Sequence, residues 1–417
     1  MNSVLGLTCV ICGTTYPAEF AGYVCPDHGT EGILDVVYDY ERVSSELSKA
    51  SLAANRDRTM WRYRALMPLG ADAPVPPLTV GGTPMYDAQP LAAQLGLARV
   101  WVKDEGREPT ASLKDRASAM AVVKARERGA EVITTASTGN AAAALAGMSA
   151  SVGLKNVIFV PASAPEAKIA QLLAYGSTVA LVNGSYGDAF DLCMAAAHEY
   201  GWYNRNTGYN PYMTEGKKTA GLEILEDLSW HAPDAIFVSV GDGSIIGGIH
   251  KAVKDAVALG WIDRIPRIYG VQAAGSDFLV QAFESGEDVL TKAPISASTV
   301  ADSISADLPR DRIKAMAAVI DTGGAYLRVT DDEILAAIPA LARGSGVFSE
   351  PAGAAAYAGL VAATDLGHVG PDDSVVVLAT GSGLKDVASA MEAVITAGTE
   401  PMHVDPNLDA LKAILDR

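Results

Sequence analysis

The residues best equipped for chemistry gather first in KDEGREPTASLKDR, Lys103 to Arg116, where Lys114 sits among small and polar residues and a run with helical spacing follows at once. A lysine amine becomes a nucleophile when burial or a neighbouring cation lowers its pKa, which is how Schiff-base lysines are activated. Arg116 is placed to supply that cation, while Asp115 suits the start of a helix, where the macrodipole favours an acid. Taken alone, the segment fits a solvated charge run as well as a reactive one. The rest of a site has to come from other loops.

Three such loops follow apolar runs. AIFVSV leads into Gly241-Asp242-Gly243-Ser244-Ile245 and then a helix, so backbone N–H groups and a helix start face a common point, an arrangement suited to phosphate. The spacing departs from the dinucleotide fingerprint, and a single monophosphate is the expected guest. EVITTASTGNAAAA puts Ser137, Thr138 and Asn140 at a strand end. These groups serve either as helix caps or as donors to a bound carboxylate. SVVVLATGSGLKD offers Thr380 as a late neutral hydroxyl. One lysine, a phosphate loop, a carboxylate loop and a late hydroxyl are what pyridoxal phosphate requires: an amine for its aldehyde, a cradle for its phosphate, an amide for its ring oxygen and a partner for its ring nitrogen.

A separate constellation lies at the N-terminus, where Cys9-x2-Cys12 is followed by Cys25-x2-His28. Two such knuckles on turns bring four N/S ligands to tetrahedral distance, the closed geometry of a structural zinc site; a ribbon that folds without metal is the alternative. Cys193, on a helical stretch, reads as a small buried hydrophobe.

Stepping from the loops to the elements that carry them, short β-branched runs at Val100–Val102, Glu131–Thr135, Asn156–Val160, Thr178–Val182, Ala235–Val240, Arg267–Gln272 and Ser374–Thr380 alternate with helical patterns such as Ser118–Gly129, Pro165–Tyr175 and Asp188–Glu199. Alternation of this kind predicts α/β architecture, parallel sheets with helices on both faces and ligands beyond the carboxyl ends of the strands. At 417 residues the chain exceeds one ordinary core, so two domains are expected. A net charge of -17 argues against a nucleic-acid or anionic-membrane surface. The N-terminus shows no signal-peptide pattern and no apolar run reaches spanning length, which gives the expectation of a cytoplasmic protein.

With these motifs in view, the chain resembles the pyridoxal-phosphate enzymes of the tryptophan-synthase β fold (fold type II), and among them the threonine synthases. The likeness rests on the cysteine ribbon ending in Val36-Val37-Tyr38-Asp39-Tyr40, on Gly82-Thr83-Pro84, PTASLKDR and STGNAAAA, and on EGKKT, SEPAGAA and TGSGLKD, all in family order. It implies a zinc-ribbon-like segment at 1–40, a large cofactor-binding domain from 41–129 and 206–417, and a small substrate-side domain at 130–205. It implies Lys114 as Schiff-base lysine and proton shuttle, Asn140 at the cofactor's 3-hydroxyl, Gly241 to Ile245 around its phosphate, Thr380 at the pyridine nitrogen, and Ser137 and Thr138 at the substrate carboxylate. A small amino-acid substrate and a homodimer are implied as well.

The implied reaction takes O-phosphohomoserine and water to threonine and phosphate. Ala111 and Leu113 replace the family's usual glycine and phenylalanine, and Asp242 its usual asparagine. Gly208 and Met213 stand where a serine and an arginine usually hold the substrate phosphate, which leaves Lys217 and Arg116 as the cations expected to take over. Elimination or replacement at the β carbon, as in serine or threonine ammonia-lyases or a cysteate synthase, and a non-catalytic binding module on the same fold, stay open as alternatives.

Overall fold

The computed structural model describes residues 3–415; residues 1, 2, 416 and 417, the outer ends of the expected terminal segments, lie outside the described residues. The chain opens with β1 (Val4–Cys9), β2 (Thr15–Pro17) and β3 (Leu34–Tyr38), an antiparallel sheet in the order β2-β1-β3. After it come β4 (Met85–Asp87) and β5 (Arg99–Asp104). Next, β6 (Val132–Ala136), β7 (Lys155–Pro161), β8 (Thr178–Val182) and β9 (Tyr203–Asn204) form an all-parallel sheet ordered β8-β7-β6-β9. Finally β10 (Ala235–Ser239), β11 (Arg267–Ala273), β12 (Tyr326–Val329) and β13 (Ser374–Ala379) join β5 and β4 in a six-stranded sheet, β12-β11-β10-β13-β5-β4, in which β4 alone runs antiparallel to its neighbour.

Strands buried on both faces lose the polar alternation of a half-exposed strand and read as continuous apolar runs. β10 and β13 are such strands, and their period of two still sorts them between two cores. Ile236, Val238, Val376 and Leu378 enter one, while Ala235, Phe237, Val375 and Val377 enter the other, with Ile236 registered opposite Val376. The helix Tyr212–Asp227 is enclosed along nearly its whole length and supplies Met213, Leu222 and Leu225 to the first core; Pro351–Asp365 supplies Ala354, Ala355 and Leu360 to the second.

The seven expected strands all form, with no end shifted by more than two residues and Thr178–Val182 matched at both ends. Beyond β1, β2 and β3, which were expected only as a ribbon without strand bounds, the sequence pattern misses β4, β9 and β12, of three, two and four residues, because strands that short are defined by their pairing partners and carry no period of their own. Among the described residues, no helix is long and apolar enough to cross a membrane. The carboxyl ends of β6 and β9 in one sheet and of β10 in the other open onto a common cleft.

Candidate active site

That cleft has a volume of about 530 Å³, and Lys114, Ser137, Thr138, Asn140, Lys217 and the Gly241–Ile245 loop are all on its wall. Lys114 gets there through backbone bonds between its own segment and the end of β13. Leu113 N–H donates to the Thr380 carbonyl at 2.9 Å and Ser382 N–H to the Ala111 carbonyl at 3.0 Å, so the helix Lys114–Glu127 begins at the cleft. Ala111 takes a left-handed φ of 66°, a conformation that favours glycine and costs an alanine some strain. Leu113, fully buried, anchors the same turn in the core. Burial pushes the Lys114 amine below its ordinary pKa; Glu350 opposes the shift and Arg205 adds to it. The cation that assists is therefore Arg205 and not, as the sequence suggests, Arg116.

The phosphate-type loop is shaped by crowding. A Cβ on Gly241 would lie 2.7 Å from Ile304 Cα, and one on Gly243, whose φ is 92°, would lie 2.7 Å from Ala315 Cβ. No side chain caps the helix Ser244–Ala258 that follows, so its first N–H groups stay available to an anion. The Asp242 carboxylate accepts the Arg310 backbone N–H at 3.4 Å, and Lys217 Nζ donates to Ser244 Oγ at 2.7 Å.

A second uncapped start faces the same cleft. The helix Asn140–Val152 follows Gly139, and neither Ser137 nor Thr138 caps it, so the capping alternative for these hydroxyls does not hold. Asn140 Nδ2 donates to Glu350 Oε1 at 2.7 Å. Burial raises the Glu350 carboxyl to about 7, with Lys114 and Asn140 drawing it back. Glu350 is a residue that the motif reading quoted within SEPAGAA without giving it a role. Thr380 is buried at the end of β13, where its carbonyl accepts from Leu113 N–H and so lies directly beside the Lys114 turn.

Arg116 lies outside the cleft altogether. Its guanidinium is fully buried between Glu105 (2.7 Å), Glu108 (3.1 Å) and Glu223 (2.7 Å), with Lys103 3.0 Å from Glu223. The expectation that it contacts substrate fails because its helix turns it inward, toward these carboxylates. Met213 likewise is fully buried in the first core and not on the cleft wall. Gly208, with φ 71°, has no room for a side chain, since a Cβ would stand 2.3 Å from Arg310 Cβ. What the motif reading overlooked is Arg205, which lines the cleft directly after β9. A signal was present: the chain carries no acid between Glu199 and Glu215 to neutralise it.

At the N-terminus, the ligand atoms of Cys9, Cys12, Cys25 and His28 all lie within 4.8 Å of one another, and all these cysteines are free thiols. The sheet carrying them is bolted to the main body by Lys314, which reaches Asp35 at 2.7 Å and the Leu34 carbonyl at 2.8 Å, and by the Arg312–Glu31 pair. Cys193 is buried, as its helical setting suggested.

Comparison with known proteins follows the same lines. The family model described as pyridoxal-phosphate dependent enzyme matches residues 77–381. The chain is 37% identical over 410 residues to a threonine synthase of Methanocaldococcus jannaschii, covering 98% of each chain. It is 36% identical over 346 residues to a threonine synthase of Mycobacterium tuberculosis, covering 82% of this chain and 92% of that one. Among solved structures, threonine deaminase isoform 2 of Solanum lycopersicum superposes with a TM-score of 0.66 at 24% identity, covering 76% of this chain and 83% of that one. Diaminopropionate ammonia lyase of Escherichia coli gives 0.64 at 16% identity, covering 91% and 95%. At these identities the superpositions speak for the fold alone.

Proposed function

Because this chain belongs to the pyridoxal-phosphate dependent enzymes of fold type II and is closely related to threonine synthases, we propose that it converts O-phosphohomoserine and water to threonine and phosphate by γ-elimination and β-addition. One observation carries the reading: two uncapped helix starts, one after Gly139 and one after Gly243, open onto the same cleft as an amine whose pKa burial depresses. An amino-acid carboxylate and a cofactor phosphate are the two anions such a pair accommodates.

The residues present fit pyridoxal phosphate, since the Gly241–Ile245 loop lines the cleft and runs into a helix whose first N–H groups no side chain caps. When bound, that cofactor supplies an electron sink for carbanions beside the substrate nitrogen. The Gly241-Asp242-Gly243-Ser244-Ile245 backbone would hold its phosphate, Lys114 its aldehyde carbon, Asn140 its ring hydroxyl and Thr380 its ring nitrogen. Lys114 takes the α proton of the substrate and delivers protons back, a task suited to an amine whose pKa burial depresses. Ser137, Thr138 and the N–H groups of the Asn140 helix orient the substrate carboxylate. Glu350, bonded to Asn140, holds that amide in place for the ring hydroxyl. The Cys9, Cys12, Cys25 and His28 cluster takes a structural zinc ion, because four protein ligands close the coordination sphere.

The deciding experiment offers the purified holoenzyme phosphohomoserine, threonine and phosphoserine in turn. Stoichiometric phosphate and threonine from the first supports the proposal. Formation of 2-oxobutyrate from threonine, or sulfite-dependent replacement on phosphoserine, with no turnover of phosphohomoserine, would replace it by an ammonia-lyase or cysteate-synthase activity.

A further inference from the structure

Arg205 is 1% exposed, lines the cleft and forms no ion pair among the described residues. Its Nε donates to Ser118 Oγ at 3.1 Å and its Nη1 to Thr207 Oγ1 at 3.1 Å, but its Nη2 has no hydrogen-bond partner. A buried guanidinium without a counter-charge is costly, and charges left so cluster where a ligand completes them. Burial lowers its pKa to about 10, while Tyr186, Asp115 and Asp242 pull the other way, so it stays charged at neutral pH.

The contacts around Arg205 separate it from the cofactor's phosphate loop by a relay. Thr207 Oγ1 is also 3.4 Å from Lys217 Nζ, and Lys217 Nζ reaches Ser244 Oγ, within the loop, at 2.7 Å. Lys217 thus serves the loop, whereas Arg205, two contacts further on, is left over. Residue 213 is sealed in the core and cannot bring a side chain to this end of the cleft.

We infer that Arg205, assisted by Thr207, binds the phosphate monoester of the substrate and stabilises it as it leaves. This rests on the function proposed above and assigns its missing phosphate ligand. A guanidinium fork matches a phosphate dianion in two parallel bonds, and the free Nη2 together with Nη1 supplies that fork. In the elimination the β proton passes to the amine base, a double bond forms between the β and γ carbons, and the γ carbon–oxygen bond breaks. Its electron pair goes to the phosphate oxygen, so charge grows on the anion facing Arg205.

The test uses the holoenzyme and its Arg205→Gln and Arg205→Lys variants, with inorganic phosphate binding followed by calorimetry and phosphohomoserine turnover by phosphate release. The expected result is about 100-fold weaker phosphate binding and a comparable rise in KM for Arg205→Gln, with partial recovery in Arg205→Lys, because lysine restores charge without the fork. The visible absorbance of the bound cofactor reports that each variant is folded and loaded. Should glutamine prevent loading, Arg205→Lys and Thr207→Val carry the test, each expected to weaken phosphate by about 5-fold or more. Unchanged phosphate affinity in a loaded Arg205 variant would overturn the inference. So would an equal loss of affinity for L-2-aminobutyrate, which lacks the phosphate and would mark Arg205 as the ligand of the α-carboxylate. If wild type binds phosphate through Arg205 yet does not turn over phosphohomoserine, the inference on this anion site stands and the proposed function falls.

Discussion

Lys114 and Arg116 stand two residues apart on one helix, and they belong to opposite electrostatic regions. Behind the helix, Arg116 and Lys103 meet Glu105, Glu108 and Glu223 in a fully buried cluster whose cations all have carboxylate partners. In front of it, Lys114, Lys217 and Arg205 share the cleft wall, and among the described residues none of them forms an ion pair. Burial costs both regions, but only the first recovers that cost inside the chain. The first therefore holds the protein together, and the second keeps its uncompensated charge for ligands, a division that trades stability for binding.

The largest expected effect on function comes from the cleft: Lys114→Ala should lower turnover by about 10³-fold or more while leaving the fold intact, measured as phosphate release at saturating substrate. Survival of appreciable turnover would move the reactive amine elsewhere. Stability should give the reverse ranking. Arg116→Met strands its carboxylates and should destabilise by roughly 3–5 kcal/mol, whereas Arg205→Met in cofactor-free protein should be neutral or stabilising, since it removes a buried charge that no ion pair among the described residues balances. Thermal midpoints of the two variants measured side by side would erase the contrast if they fell equally.

Acid and base should also separate the regions. Burial raises Glu223, but Arg116 and Lys103 outweigh it and bring the carboxyl down to about 2, so its contribution is present above the unfolded value near 4.5 and is lost as pH falls toward 2. Glu350 has the opposite sign: its carboxyl is raised from 4.5 to about 7, so the folded state loses stability as pH climbs through that interval. Glu350→Gln should then gain on wild type between pH 5 and 7.5 by up to about 3 kcal/mol in cofactor-free protein. A gap that does not change with pH would mean that Glu350 titrates normally. Smallest for the cleft should be metal removal. Chelation should lower the thermal midpoint through the N-terminal sheet and change kcat by less than about 2-fold, because a closed site takes no part in the reaction. A collapse of kcat with the cofactor still bound would tie that sheet to catalysis.

Much of the architecture was legible in the chain itself. The seven β-branched runs, the glycine loop, the serine–threonine–asparagine loop, the lysine turn and the paired knuckles are all local, each written in consecutive residues whose backbone preferences do not wait for the rest of the fold. The left-handed φ of Ala111 is the exception, since alanine disfavours it and the turn is held by the bonds to the end of β13.

Tertiary structure decided how the charges are matched. Arg116 finds Glu223 across 107 residues and Asn140 finds Glu350 across 210, separations that no periodicity encodes. The helix Tyr212–Asp227 is buried on nearly every side, so it shows no polar stripe to say that Met213 turns to the core and Lys217 to the cleft. Sequence specified which residues are able to carry charge and bind anions. Only the packed chain determined which charges are neutralised internally and which, Arg205 above all, are left for a ligand, because compensation depends on contacts within a few ångströms and those arise only when distant segments meet.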